Sequence, residues 1–248
     1  MKSLMLAAGL ARRLYGDENT ELPKALLTFG GESLLSRHIS TLRECGIEEL
    51  FLVVGHRSED LISEANRIAP PNFVKFISNP RYREGPILSL ECGSEVLRAG
   101  DSIIFMDADT LYHPNILHRL VGSAYDNCFV VDREFQSTDD FVKVCLRDGQ
   151  VVDFGKNLSG SYDLVGEWPG FMKMSPEIAS KVADEAGRIV SNGEVEGAYE
   201  RAIQSVLHNE TIGTFGFEDI TGMPWIEIDY ESDLEKASLQ IIQRISES

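Results

Sequence analysis

The sequence predicts an α/β fold, a mostly parallel mixed sheet flanked by helices and carrying a small β-hairpin appendage. Two observations predict it. Over the first half of the 248 residues, short apolar runs alternate with longer segments of helical period, the order that builds a parallel sheet covered by helices. From about residue 139 this gives way to two short runs around an Asp-Gly turn, which read as a hairpin. A chain of this length is expected to make one large domain, with halves 1–138 and 139–248.

Taken in order, Leu4–Ala8 is apolar, runs straight into Gly9 and reads as a buried strand and turn. Leu34–Cys45 follows, with Leu34, Leu35, His38, Ile39 and Leu42 on one helical face. Leu50–Val54, Val74–Ile77, Ile103–Met106 and Phe129–Val131 repeat the strand pattern, and Glu59–Ile68, Ile87–Leu97 and Asn115–Ala124 the helical one. In such a sheet the ligand crevice lies at the carboxyl ends of the strands, so functional residues are expected just after them. Further on, Phe141–Leu146 and Val151–Phe154 flank the Asp148-Gly149 turn, and Gly155–Gly170, rich in Gly and Ser, reads as a substrate-facing loop. Pro176–Val190 and Val195–His208 read as helices, Thr211–Phe217 and Trp225–Ile228 as strands, and Ser232–Ile245 as a closing helix.

Forty acidic residues against 23 Lys and Arg leave a net charge of −17, while 43% of the residues are hydrophobic. The hydrophobic fraction supports a core and excludes disordered and collagen-like classes. The acidic balance repels phosphate backbones and anionic lipid, which speaks against nucleic-acid and membrane-surface partners. A small anionic substrate then requires local cations or a metal to reverse the field. Cys45, Cys92, Cys128 and Cys145 stand far apart, so neither a zinc knuckle nor a disulfide framework is expected, and a cytoplasmic location fits. The apolar stretch at the N-terminus is short for a signal peptide, and no run reaches the ~18 residues of a membrane span.

No Walker-type phosphate loop, dinucleotide glycine fingerprint, zincin motif, serine-nucleophile elbow or EF-hand loop is present, and the five histidines are unclustered. The feature that stands out is Leu6-Ala7-Ala8-Gly9, followed by Arg13 and by Pro23-Lys24. Small residues after a strand let backbone N–H groups approach a base or phosphate, and Arg13 and Lys24 add fixed positive charge. Taken alone, the same residues would also make a tight turn with solvated basic side chains. Asp107 and Asp109 follow an apolar strand, where side chains two residues apart face the same way and can share one hard cation such as Mg²⁺. Without further support the pair reads equally as a solvated turn.

In combination these pieces resemble the nucleotidyltransferase superfamily signature, a Leu-Ala-Ala-Gly turn ending in Arg-Leu and followed by Pro-Lys. The downstream order is similar to the cytidylyltransferase branch that activates phosphocholine, 2-aminoethylphosphonate and inositol phosphate. It comprises Asn79-Pro80-Arg81-Tyr82 with Ser89-Leu90, Asp107-Ala108-Asp109, Gly155-Lys156, Gly166-Glu167 with Gly170, and Trp225-Ile226-Glu227-Ile228-Asp229. Ala11 stands where the family has its second glycine, Arg12 where it has a small residue, and Gly85-Pro86-Ile87 where relatives often carry asparagine.

The resemblance implies a Rossmann-like sheet of the nucleotide-diphospho-sugar transferase type. It also implies Mg²⁺-dependent transfer of a cytidylyl group from CTP to a small phosphate- or phosphonate-bearing acceptor, with pyrophosphate released. On this reading Leu6, Ala7, Ala8, Gly9, Asn79, Gly85, Ser89 and Asp107 bind the nucleotide, and Asp109 and Asp229 hold the metal. Arg13 and Lys24 hold the triphosphate and Lys156 the acceptor phosphate, although Lys156 also fits a solvated hairpin end. Tyr162, Glu167 and Trp168 are the expected acceptor contacts, through cation–π and charge pairing to an ammonium group, with Trp168 able to serve as packing instead. Homodimer formation is left open. The competing readings are a sugar-1-phosphate nucleotidyltransferase using UTP, dTTP or GTP, a glycosyltransferase with an Asp-x-Asp metal site, and a catalytically silent nucleotide-binding regulator.

Overall fold

The computed structural model describes residues 1–16, 21–134, 141–156, 158 and 160–247. The expected boundary between halves at 138/139 lies outside them. The described strands are β1 Lys2–Ala7, β2 Thr28–Phe29, β3 Glu32–Ser33, β4 Leu50–Val54, β5 Val74–Ser78, β6 Ile103–Asp107 and β7 Thr110–Tyr112. They continue with β8 Cys128–Val131, β9 Lys143–Arg147, β10 Gln150–Gly155, β11 Leu164–Glu167, β12 Phe171–Met174, β13 Gly216–Asp219 and β14 Trp225–Glu227. Seven of them form the main sheet in the order β13-β8-β12-β6-β1-β4-β5. All neighbours in it are parallel except β12, which runs antiparallel between β6 and β8.

The alternation of side chains along each strand builds a core on both faces. Leu4, Ile103 and Phe105 face one core with the helices Ile87–Cys92, Pro176–Ser191 and Glu200–Asn209. Met5, Ile104 and Met106 face the other, with Leu34–Glu44, Ser58–Ile68 and Asn115–Gly122. The expected helix 87–97 is broken at Gly93, where a Cβ would lie 2.7 Å from Leu4 Cδ2; the break lets the segment lie close on β1.

Two elements start later than the sequence predicts, and two strands carry no sequence assignment. Phe171–Met174, directly after the expected loop 155–170, is a central strand, buried between β6 and β8. The helix expected from Val195 starts only at Glu200, and the strand expected from Thr211 only at Gly216, after a turn closed by Thr214 N–H to Thr211 O. Thr110–Tyr112, too short to register as periodicity, pairs antiparallel with β14.

The Asp-Gly hairpin forms as expected, with Asp148 and Gly149 at φ 50° and 73°, the left-handed pair a tight two-residue turn requires. β9 lies between β10 and β11, so the appendage is a three-stranded antiparallel sheet, and part of the expected loop 155–170 is strand. No helix among the described residues is long and apolar enough to cross a membrane, and all four cysteines are free thiols.

Candidate active site

The first strand ends at Ala7 and the chain turns through Ala8 and Gly9 into a short helix, Arg12–Tyr15. A Cβ on Gly9 would meet no protein atom, so the turn leaves its backbone open to a ligand. Ala11, at φ 53°, holds the left-handed conformation suited to the family's glycine, and Arg12 donates to Arg83 O across the mouth of the cleft. The cleft has a volume of about 990 Å³ and lies at the carboxyl ends of β1 and β6. Leu6, Ala7, Ala8, Gly9, Arg13 and Lys24 all line it, as do Gly85, Ser89, Asp107, Asp109, Lys156 and Asp229.

The short β7–β14 ladder explains why residues more than a hundred positions apart meet. Thr110 pairs with Glu227, and Ile228 N–H donates to Asp109 O, so Asp109, Glu227 and Asp229 converge. One carboxylate oxygen from each lies within 4.8 Å of the other two. Lys24 Nζ bridges two of them, 3.1 Å from Asp109 Oδ2 and 2.6 Å from Asp229 Oδ1, and Arg13 Nη1 donates to Asp229 Oδ2.

Burial pulls the Lys24 ammonium down, but Asp109 and Asp229 outweigh it and raise the pKa above its ordinary value. Burial pushes Asp229 up, and Lys24 and Arg13 more than reverse this, holding it below the usual carboxylate range. Asp107 and Glu227 are raised well above that range, first by burial and then by the neighbouring carboxylates.

The turn between Asp107 and Asp109 is held from below. His38 is fully buried, and its Nε2 lies 3.2 Å from Ala108 O while Nδ1 lies 3.4 Å from the Tyr112 hydroxyl. A carbonyl only accepts, so Nε2 carries the proton. Burial lowers its pKa to about 4, which keeps the imidazole neutral.

The other wall is made by the second half of the chain. Lys156 follows β10 directly, and Tyr199 and Glu200 begin the helix facing it. The Tyr199 hydroxyl donates to Asp107 Oδ2, tying this wall to the carboxylate cluster. Glu196, just before this helix, also lines the cleft. Gly85 at φ 158° packs so tightly against the preceding Val195 that a Cβ would lie 1.9 Å from its carbonyl oxygen.

Three expected site residues are corrected, and a fourth, Trp168, lines the cleft as part of its wall. Asn79 is buried and does not line the cleft; its Nδ2 donates to Ser89 Oγ at 3.0 Å and its Oδ1 accepts from Arg81 N, so it braces Ser89. Tyr162 lies outside the cleft, with its hydroxyl donating to Asp153. Glu167 also lies outside, buried beside Asp132 at the end of β11, where burial and then Asp132 raise its pKa to about 7. Trp168 touches the cleft only as wall: its Nε1 donates to Phe171 O, and its ring packs among Phe105, Phe129 and Phe154. Missed from sequence were His38, Tyr199, Glu200 and Glu227. Only Glu227 had a readable signal, its position two residues before Asp229 on the same face of an extended segment.

Residues 3–160 match the model of the MobA-like NTP transferase domain. Over 96% of its length the chain is 29% identical to a bifunctional IPC transferase and DIPP synthase of Rubrobacter xylanophilus, and it spans only 51% of that protein. It is 21% identical over 95% of its length to the CTP:phosphoglutamine cytidylyltransferase of Campylobacter jejuni, spanning 98% of it. Among solved structures, the inositol-1-phosphate CTP transferase from T. maritima shares the fold with a TM-score of 0.75 at 18% identity, covering 99% of this chain and 94% of that one. The matched segment carries the glycine turn, Lys24, Asp107, Asp109 and Lys156, so the chain belongs to the MobA-like NTP transferase domain family and is a nucleotidyltransferase.

Proposed function

We propose that this nucleotidyltransferase moves a cytidylyl group from CTP to a small acceptor bearing a phosphate or phosphonate, releasing pyrophosphate. The observation that carries the proposal is Lys24, bridging Asp109 and Asp229 in the same cleft as the open glycine turn. The names of the relatives supply the base, since the Campylobacter protein is a CTP-dependent cytidylyltransferase.

The acceptor oxygen attacks the α-phosphorus of the triphosphate and pyrophosphate leaves. A phosphomonoester's second pKa is ~6, so the oxygen is already ionised near neutrality and no side chain need act as base. The barrier is the meeting of two anions, so positioning and charge supply the acceleration. The backbone of Ala8 and Gly9 receives the nucleotide, Arg13 and Lys24 face the phosphates, and Lys156 receives the acceptor phosphate from the opposite wall.

The residues present also fit a divalent cation. Asp109, Glu227 and Asp229 offer three hard oxygen donors within 4.8 Å of one another, a set that suits Mg²⁺. When bound, the ion would neutralise phosphate charge.

A pyrophosphate-release assay tests this. Four nucleoside triphosphates are offered with choline phosphate, 2-aminoethylphosphonate, phosphoglutamine, inositol 1-phosphate and hexose 1-phosphates. Turnover of CTP with one of the first four supports the proposal. Turnover confined to another triphosphate with a hexose 1-phosphate replaces it with a sugar-1-phosphate reaction. Sugar transfer without pyrophosphate would indicate a glycosyltransferase, and binding without turnover a regulator.

A further inference from the structure

Asp153 lies on β10, outside the cleft, and the reaction above makes no use of it. Val151 pairs with Leu146 and Asp153 with the adjacent Cys145, leaving Val152 as an extra residue in a β-bulge. A bulge adds twist and re-aims the neighbouring side chain. The re-aimed carboxylate joins three separate segments. Oδ2 accepts from the Tyr162 hydroxyl at 2.7 Å, and Oδ1 from Phe154 N at 2.8 Å, His208 Nε2 at 2.8 Å and Gln204 Nε2 at 3.0 Å. Burial pushes this acid up, but the hydrogen bonds, led by Tyr162 and Gln204, more than reverse it, so the carboxylate stays ionised.

Two of the joined segments end in the cleft. β10 continues from Asp153 to Lys156, roughly 10 Å at strand rise. The helix Glu200–Asn209 carries Gln204 one turn, about 6 Å, beyond Glu200. Gly155 lies between the two, and a Cβ there would sit 3.5 Å from Gln204 Nε2.

We propose that Asp153 is a positioning residue for the acceptor side of the cleft, clamping β10 to this helix so that Lys156 stands at a fixed spacing from Tyr199 and Glu200. It touches no substrate and acts through Lys156. Tyr162, expected from sequence to meet the acceptor, belongs to this clamp. The inference rests on the reading that Lys156 receives the acceptor.

The experiment compares wild type, Asp153→Ala, Asp153→Asn and Tyr162→Phe. Misplacement by an ångström can lower reactivity up to a hundredfold, so Asp153→Ala is expected to raise the acceptor KM about tenfold and leave the CTP KM within about twofold. Asp153→Asn keeps the shape and one accepting oxygen, so it should recover most of the loss, and Tyr162→Phe should show a smaller shift of the same kind. Acceptor and CTP KM rising together, or a lowered Tm with the acceptor KM unchanged, would overturn the clamp. If Asp153→Ala does not fold, Tyr162→Phe and Gln204→Ala carry the same comparison. Amide exchange at Lys156 and Glu200 reads the spacing without any substrate, and it should quicken in the variants. A wild type that releases no pyrophosphate overturns the cytidylyl reading alone; exchange that does not differ between wild type and variants overturns the clamp.

Discussion

The two walls of the cleft are built differently. On the proposed reading, the nucleotide side consists of the carboxyl ends of β1 and β6, strands in the middle of a sheet whose core residues are buried on both faces. The acceptor side consists of a strand end from the three-stranded appendage, the start of one helix, and the turn at Val195 and Glu196. Backbone at a central strand end is fixed by neighbours on both sides, whereas the appendage meets the helix through side chains, the apolar ones of a shared core and polar ones such as Asp153. The difference teaches that, on the proposed reading, the phosphate chemistry is anchored in the sheet, while the acceptor wall depends on side-chain contacts that substitution can tune.

The most direct way to break the comparison is on the anchored side. Lys24→Ala should lower kcat for pyrophosphate release by about 10²–10³-fold with far-UV circular dichroism unchanged, because on the proposed reading its charge, held between Asp109 and Asp229, faces the phosphates. Near-normal kcat would remove Lys24 from the reaction. Asp229→Asn should raise the Mg²⁺ concentration for half-maximal turnover by about 10–100-fold, the usual effect of disturbing a metal's surroundings. An unchanged titration would separate that carboxylate from the metal.

Glu167 sharpens the comparison away from the chemistry. Its pKa is about 7 in the fold against an ordinary 4.5, so the unfolded chain loses this proton first. Its contribution to stability is therefore present below pH 4.5 and is lost as pH rises to about 7. Glu167→Gln should gain about 2–3 kcal/mol relative to wild type between pH 4 and pH 8 in urea unfolding, with kcat unaffected. Parallel stability curves for the two proteins would contradict this. The smallest effect is expected at Ala11→Gly. Relief of the left-handed strain, about 1 kcal/mol, is largely offset by the greater freedom of glycine in the unfolded chain, leaving a gain of a few tenths of a kcal/mol. A clear loss of stability in the same urea titration would show that Ala11 is not strained.

The same contrast decides what could be read from sequence. The glycine turn, Asp107 and Asp109 were legible because they stand in or directly after apolar strands of an alternating pattern, where topology alone sets the crevice, and Lys24 because it adds a fixed cation after that turn. Asp229 and Lys156 came only with the family resemblance, and both line the cleft. The meeting of Glu227 with Asp109 was hidden because Trp225–Ile228 read as a strand but its partner, Thr110–Tyr112, was too short for periodicity to register. Tyr162 and Glu167 were misplaced because Gly166 and Trp-Pro make β11 look like a loop. Pairing with β9 takes Glu167 to Asp132, and the indole of Trp168 turns into the core.

The imidazole beneath Ala108 has one more consequence. A lysine or arginine in that position could steady the same turn, but it would place a third fixed cation under the two aspartates and compete for their charge. An uncharged peg gives the turn its shape and adds nothing to the local field, so the segment that carries Asp107 and Asp109 is oriented without a further charge beneath it.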